Sequence, residues 1–205
     1  KNTILMEVMY AFSKISDTEK KRRKGLKTIA KKLIDSGLDV EAINDKGETA
    51  LFDIIRIGDI EGCAFLLENK VNVNHINNNG ETALLLSIIK GIQNIDIIIL
   101  LLQYNANPTI KDKNNQTILE ILNKIILQIH NLKVIDDKEL FDNIHVTGNY
   151  MLVLKEILSI KAFDYDYFDS NGSPLFFEPF LNGDLPTTRL YLKYGLDINA
   201  INSKN

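Results

Sequence analysis

Apolar residues along much of this chain recur at three- and four-residue spacing, interrupted by short polar punctuation. After Gly47-Glu48-Thr49, positions Leu51, Ile54 and Ile55 fall on one helical face, and Gly58-Asp59 breaks the run before a second apolar stretch carrying Leu66 and Leu67. The pattern predicts two short helices joined by a tight break, the second stopping near Asn69-Lys70. Gly37 and Gly195 hold the matching place elsewhere and suit a left-handed helix end. Gly47, Gly80 and Asn115 can take the positive φ of a tight turn, and Thr49, Thr82 and Thr117, two residues later, are placed to cap the helices that begin there.

These elements repeat. Asn44-Asp45-Lys46-Gly47-Glu48-Thr49-Ala50-Leu51 returns 33 residues later as Asn77-Asn78-Asn79-Gly80-Glu81-Thr82-Ala83-Leu84, and again, weakened, from Asp112 to Leu119. A second phrase precedes each turn: Lys32 to Val40, Phe65 to Val73, Leu101 to Pro108, and finally Tyr191 to Asn199, which closes a unit opened by Asn171-Gly172-Ser173-Pro174-Leu175. Two phrases in fixed order predict a single all-α domain of about five units, at 1–43, 44–76, 77–111, 112–168 and 169–202. One helix pair cannot bury both of its apolar faces, so neighbours complete each unit and the expected result is an elongated stack. The first unit contains an extra segment, Ser16 to Lys27, between a helix begun at Thr3-Ile4-Leu5-Met6-Glu7 and one containing Thr28 to Ser36. A second extra segment, Leu132 to Gly148, follows a helix running past Ile129 and precedes an outer helix over 149–158.

The turn Gly-x-Thr-x-Leu and the recurring helix-ending phrase resemble the ankyrin repeat, whose units run Gly-x-Thr-Pro-Leu-His into the first helix and close the second with Leu-Leu-x-x-Gly-Ala. The match is good at Gly47/Thr49/Leu51 and Gly80/Thr82/Leu84, and the last unit recovers the proline as Pro174-Leu175. The repeats diverge from the family pattern: Phe52, Leu85 and Glu120 replace the usual His, and Ala50, Ala83 and Ile118 the proline. The missing His removes a polar support of the turn and implies less rigid units. The resemblance implies an ankyrin-type helical repeat solenoid with short turn and hairpin loops, no cofactor, and a concave surface of turn tips and first-helix ends that binds protein. The implied contact positions are Asp45, Lys46, Glu48, Arg56 and Ile57 in the first clear unit, Asn78, Asn79, Glu81, Ile89 and Lys90 in the second, and Lys113, Asn114, Gln116, Lys124 and Ile125 in the third.

Composition adds limits rather than a mechanism. With 45% hydrophobic and 25% charged residues the chain can bury a core, and its longest apolar run, Ile97 to Leu102, is far short of the ~20 residues of a membrane span. The net charge of −3 is segregated: residues 1–32 carry +7 and residues 33–205 carry −10. The basic run Lys20-Lys21-Arg22-Arg23-Lys24, continued by Lys27, Lys31 and Lys32, reads as a solvated segment, a nuclear import signal or a patch for an acidic partner. The acidic body disfavours nucleic acid. The single cysteine, Cys63, excludes an internal disulfide and fits a reducing compartment; its place in the second helix, with His75 in the following loop, invites a nucleophile and base reading, against which a packed thiol is the simpler one. His130 and His145 lack ligand spacing. Asp164 to Asp169 brings carboxylates together without the register of an EF-hand, and no phosphate loop or nucleophile elbow is present.

The expectation is a noncatalytic protein-binding module with an unidentified protein partner, without membrane or nucleic-acid binding, in the cytoplasm or delivered to a host cell as a bacterial or viral effector. The alternative is a targeting or regulatory segment of a larger enzyme or secreted effector whose catalytic domain lies outside these residues. Ends that read as open imply a longer protein. A second alternative is an enzyme built around Leu132 to Gly148, a segment that otherwise serves specificity or is a plain surface loop.

Overall fold

The structure is a computed structural model that describes residues 2–16, 19–90, 95–130, 149–160, 168–169, 171–175 and 177–195. It divides into two compact units, Lys1–Ala106 and Asn107–Asn205. Among the described residues it is all-helical, with isolated β-bridges at Ile76 with Thr82 and Phe168 with Pro174.

Unit one holds α1 (Ile4–Ser13), α2 (Lys20–Asp35), α3 (Ala50–Ile57), α4 (Ile60–Glu68), α5 (Ala83–Ile89) and α6 (Ile95–Gln103). From α3 onward these helices have seven to nine residues. That is below the ~12–15 at which an isolated helix persists in water, so packing must hold them. α1, α3 and α5 pack in succession; α4 lies against α3 and α6, and α6 against α5. Met9, Phe12, Phe52, Ile54, Leu66, Leu84, Ile88 and Leu101 from these helices are at most 1% exposed. Each such side chain contributes roughly 1.5–3 kcal/mol relative to exposure in water.

The helix ends explain the second phrase. After α2, Gly37 has φ 96° and the N–H groups of Gly37 and Leu38 donate to Ile34 and Leu33 carbonyls, both at 2.9 Å. Lys70 (φ 65°) and Asn105 (φ 63°) occupy the same place after α4 and α6, with the same pair of bonds at 3.0–3.2 Å. Two residues beyond each of these, Asp39, Asn72 and Asn107 accept from the N–H of Glu41, Asn74 and Thr109 at 2.9–3.0 Å and redirect the chain.

Unit two holds α7 (Ile118–His130), α8 (residues 149–159), α9 (Phe177–Leu181) and α10 (Leu185–Lys193). Asp184 caps α10 by accepting from the Thr187 N–H at 3.2 Å. Fully buried Tyr191 directs its hydroxyl to the Leu119 carbonyl at 3.5 Å, tying α10 to α7, and Thr187 Oγ1 lies 3.1 Å from Met151 Sδ in α8.

The extra segment expected from Ser16 to Lys27 differs: from Lys20 it is continuous helix, so Thr28 sits in mid-helix and the basic run is the opening of α2. The expected segment 132–148, the acidic stretch 164–167 and residues 196–205 lie outside the described residues.

Candidate protein-binding face

Asn44, Asn77, Asp112 and Asp169 each open a turn of one geometry. The side-chain Oδ1 accepts from the N–H groups two and four residues on, at 2.8–3.1 Å. The opener's own N–H donates to the carbonyl four residues on, and its carbonyl accepts from the residue three on, at 2.8–3.0 Å. That third residue has positive φ every time: Gly47 69°, Gly80 75°, Asn115 62°, Gly172 82°. The opening Asn or Asp therefore builds the turn, a role that the sequence reading gave to the glycine and the threonine alone. The signal was available as Asx three residues before Gly or Asn.

The threonines behave unequally. Thr82 and Thr117 accept from the N–H of Leu85 (3.2 Å) and Glu120 (3.3 Å), as caps do. Thr49 precedes α3 with extended backbone, but its side chain makes no capping bond and its buried Oγ1 has no partner.

Within unit one the first two turns are bonded to each other. The Asn78 N–H donates to the Lys46 carbonyl at 3.0 Å and Asn78 Nδ2 to the Asp45 carbonyl at 3.2 Å. His75 Nε2 lies 2.7 Å from the Gly47 carbonyl; since a carbonyl only accepts, the proton sits on Nε2. The His75 ring also meets Phe52 edge-on, centroids 6.1 Å apart. Loss of the family's usual His at 52 is thus answered by a His from the next loop. In the third turn the replacement, Glu120, is 3% exposed and accepts from Gln116 Nε2 (3.0 Å) and Lys124 Nζ (2.8 Å). The expected loss of polar support is thus corrected at the first and third turns.

Of the positions implied as contacts, Asp45, Lys46, Asn78, Asn79, Lys113 and Asn114 are exposed at turn tips. Ile57 (38%) and Ile89 (51%) are exposed at the ends of α3 and α5, next to Arg56 and Lys90. Glu81, Gln116 and Ile125 are half-buried and Lys124 is exposed. Glu48 is the exception: at 1% exposure its carboxylate is turned to Arg56, which donates through both terminal nitrogens, and to the Asn44 amide. Burial raises its pKa, but the hydrogen bonds of Arg56 and Asn44 and the charges of Arg56 and Lys46 outweigh that and hold it below the ordinary value. Glu48 is thus buried beneath the face instead of offered at its surface, while Arg56, which holds it, is itself exposed.

Unit two carries its own third-turn residues beside a recess of about 220 Å³ whose wall includes Asn123, 3% exposed. Asn123 Nδ2 donates to the Leu175 carbonyl at 2.8 Å, joining α7 to the last turn.

Elsewhere, Arg23 of the basic run is an internal clamp. It reaches Asp59 (2.6 Å), Glu61 (2.8 Å) and the Ile15 carbonyl (3.2 Å), and stands over the Phe12 ring at 4.3 Å. Cys63 is fully buried, and burial, with a smaller push from Asp59, drives its thiol up to about 12. This is the packed thiol and not a nucleophile.

Stacked helix pairs joined by repeated Asx turns define a helical repeat protein that displays its turn tips. Residues 21–112 match the family model for ankyrin repeats, in three copies. The chain is similar to a crystal structure of an ankyrin repeat domain from Acinetobacter baumannii AYE, at 19% identity and a TM-score of 0.62, over 85% of this chain and 79% of that one. No curated protein matches it. Residues 21–112 are thus similar to ankyrin repeats, and the fold is the ankyrin-type helical repeat. Repeats of this family generally mediate protein–protein interaction and are typically noncatalytic. Among the described residues no helix is long and apolar enough to cross a membrane.

Proposed function

We propose that unit one is a noncatalytic recognition module that binds a partner protein through the tips Asp45, Lys46, Asn78 and Asn79 together with Ile57, Glu81, Ile89 and Lys90. The observation that carries this is the pair of Asn78 bonds joining the two tips. A face already fixed in the free protein gives up little conformational freedom on binding. Ile57 and Ile89 supply apolar anchors beside charged and amide groups, as interfaces combine an apolar core with a polar rim. Lys113, Asn114, Gln116, Lys124 and Ile125 form a second patch belonging to unit two.

Affinity capture with the intact protein tests the reading. Lys46→Glu with Lys90→Glu, and separately Ile89→Asp, are expected to abolish recovery of the partner. Arg56 is left intact, because its loss would strand the buried Glu48 charge and confuse stability with binding. Undiminished recovery with both variants overturns the proposed face.

A further inference from the structure

A second binding site lies away from the turn tips. A groove of about 460 Å³ runs between α2 and α4. Lys24, Lys27, Lys31 and Lys32 stand along one side, and Phe65 contributes to its floor. Lys24, Lys31 and Lys32 are exposed. Lys24 and Lys32 have no carboxylate partner among the described residues, whereas Lys31 pairs with exposed Asp35 at 2.7 Å, a contact of the kind worth little in water and readily exchanged. Lys27 is shared between Glu61 at 3.7 Å and the Phe65 ring at 5.8 Å. Glu68 at the end of α4 places a negative charge there, with neutral Asn69 beside it.

We infer that this groove binds a short acidic peptide segment of another protein. Three features select that occupant. The site is a recess between two helices, the shape of a single extended chain. From Lys24 to Lys32 the helix rises about 12 Å, which four or five extended residues span at about 3.3 Å each. Between the ammonium groups the walls are lysine methylenes above buried Phe65, which suit an apolar residue set between carboxylates. The rest of the chain disfavours larger polyanions: residues 33–205 carry −10 and repel a nucleic acid or an anionic membrane over its length, while a short peptide meets only the local positive field. Phe65, 3% exposed, offers no free face for a stacked base.

The test is fluorescence anisotropy of the intact protein with a labelled nonapeptide of Asp and Glu around a central Leu. Anionic phospholipid vesicles and an oligothymidylate serve as competing probes. Saturable binding that weakens as salt rises, falls at least tenfold in the variant Lys24→Glu, Lys31→Glu, Lys32→Glu, and survives the three corresponding Lys→Arg changes is the expected result. The Lys46→Glu, Lys90→Glu variant should bind the peptide as the parent does, so failure of the turn-tip reading and failure of this one are separable. Absence of binding at low salt, affinity unmoved by the three reversals, or tighter binding of vesicle or oligonucleotide through the same lysines overturns the inference. Far-UV circular dichroism establishes that the reversals, all at exposed positions, leave the fold intact.

Discussion

Asparagine and aspartate build the same turn but place different groups beside it. Asn44 and Asn77 have a glutamate four residues on, Glu48 and Glu81, and donate to it through Nδ2 at 3.3 and 2.8 Å. Asp112 and Asp169 are instead followed at that distance by Gln116 and Ser173, which bring no second carboxylate. The opener thus avoids like charge against like in every turn. Asn77→Asp should keep the turn's backbone bonds yet set a carboxylate against Glu48 and Glu81. A loss of about 1–2 kcal/mol in urea denaturation at neutral pH is expected, shrinking as acid protonates the group. Asp112→Asn should lie within about 0.5 kcal/mol of the parent. Glycine shows the same dependence on neighbours. A Cβ on Gly37 meets nothing within 4 Å, so Gly37→Ala should cost only the left-handed backbone, about 1 kcal/mol. On Gly47 it would stand 2.3 Å from Asn78 Oδ1 and 3.1 Å from Asn78 N. Gly47→Ala should therefore break the bond between tips and cost about 2–3 kcal/mol by the same measurement. The repeat of these residues was legible in the sequence because the spacing is local. Their bonds were not, since a recurring phrase shows which positions matter and not which atoms meet.

Among the helices, α3 to α6 and their ends were readable from apolar spacing and the left-handed positions that follow α2 and α4. α2 was placed eight residues late. It buries only Ala30 and opens on a run of five basic residues, so no apolar run marks its start. What docks it is Arg23, whose partners Asp59 and Glu61 are 36 and 38 residues away and invisible to any local pattern. Asp59 also caps α4 by accepting from the Gly62 N–H at 3.0 Å, so one carboxylate fixes two helices. Arg23→Met should strand that carboxylate, 7% exposed, and lower stability by about 3 kcal/mol. Limited proteolysis should then open residues 16–36 first; cleavage elsewhere before that would contradict the clamp. The candidate face was partly legible for a related reason. Turn tips follow from the repeat, but Glu48 falls inward because Arg56, eight residues on, folds back over it.

Taken whole, the chain distributes its stability among neighbouring elements, and a stack of repeats transmits a local defect mainly to the units beside it. Its lone cysteine makes that measurable. Cys63 lies in unit one at 0% exposure with a thiol pKa of about 12, raised from 9.0. Below pH about 9 folded and unfolded chains are both neutral at this site; between about 9 and 12 only the unfolded chain ionises, so stability should fall as pH rises through that window. Cys63→Ala should flatten the decline in denaturation series at about pH 8 and 10. At neutral pH an alkylating reagent reaches the sulfur only when unit one opens, so the labelling rate is a clock for that opening, read without denaturant. Gly47→Ala and Arg23→Met should make the clock run faster. Asn123→Ala, which breaks the α7 bond to Leu175 in unit two, should leave its pace unchanged. A thiol with no chemistry of its own thereby becomes a timer for one half of the molecule.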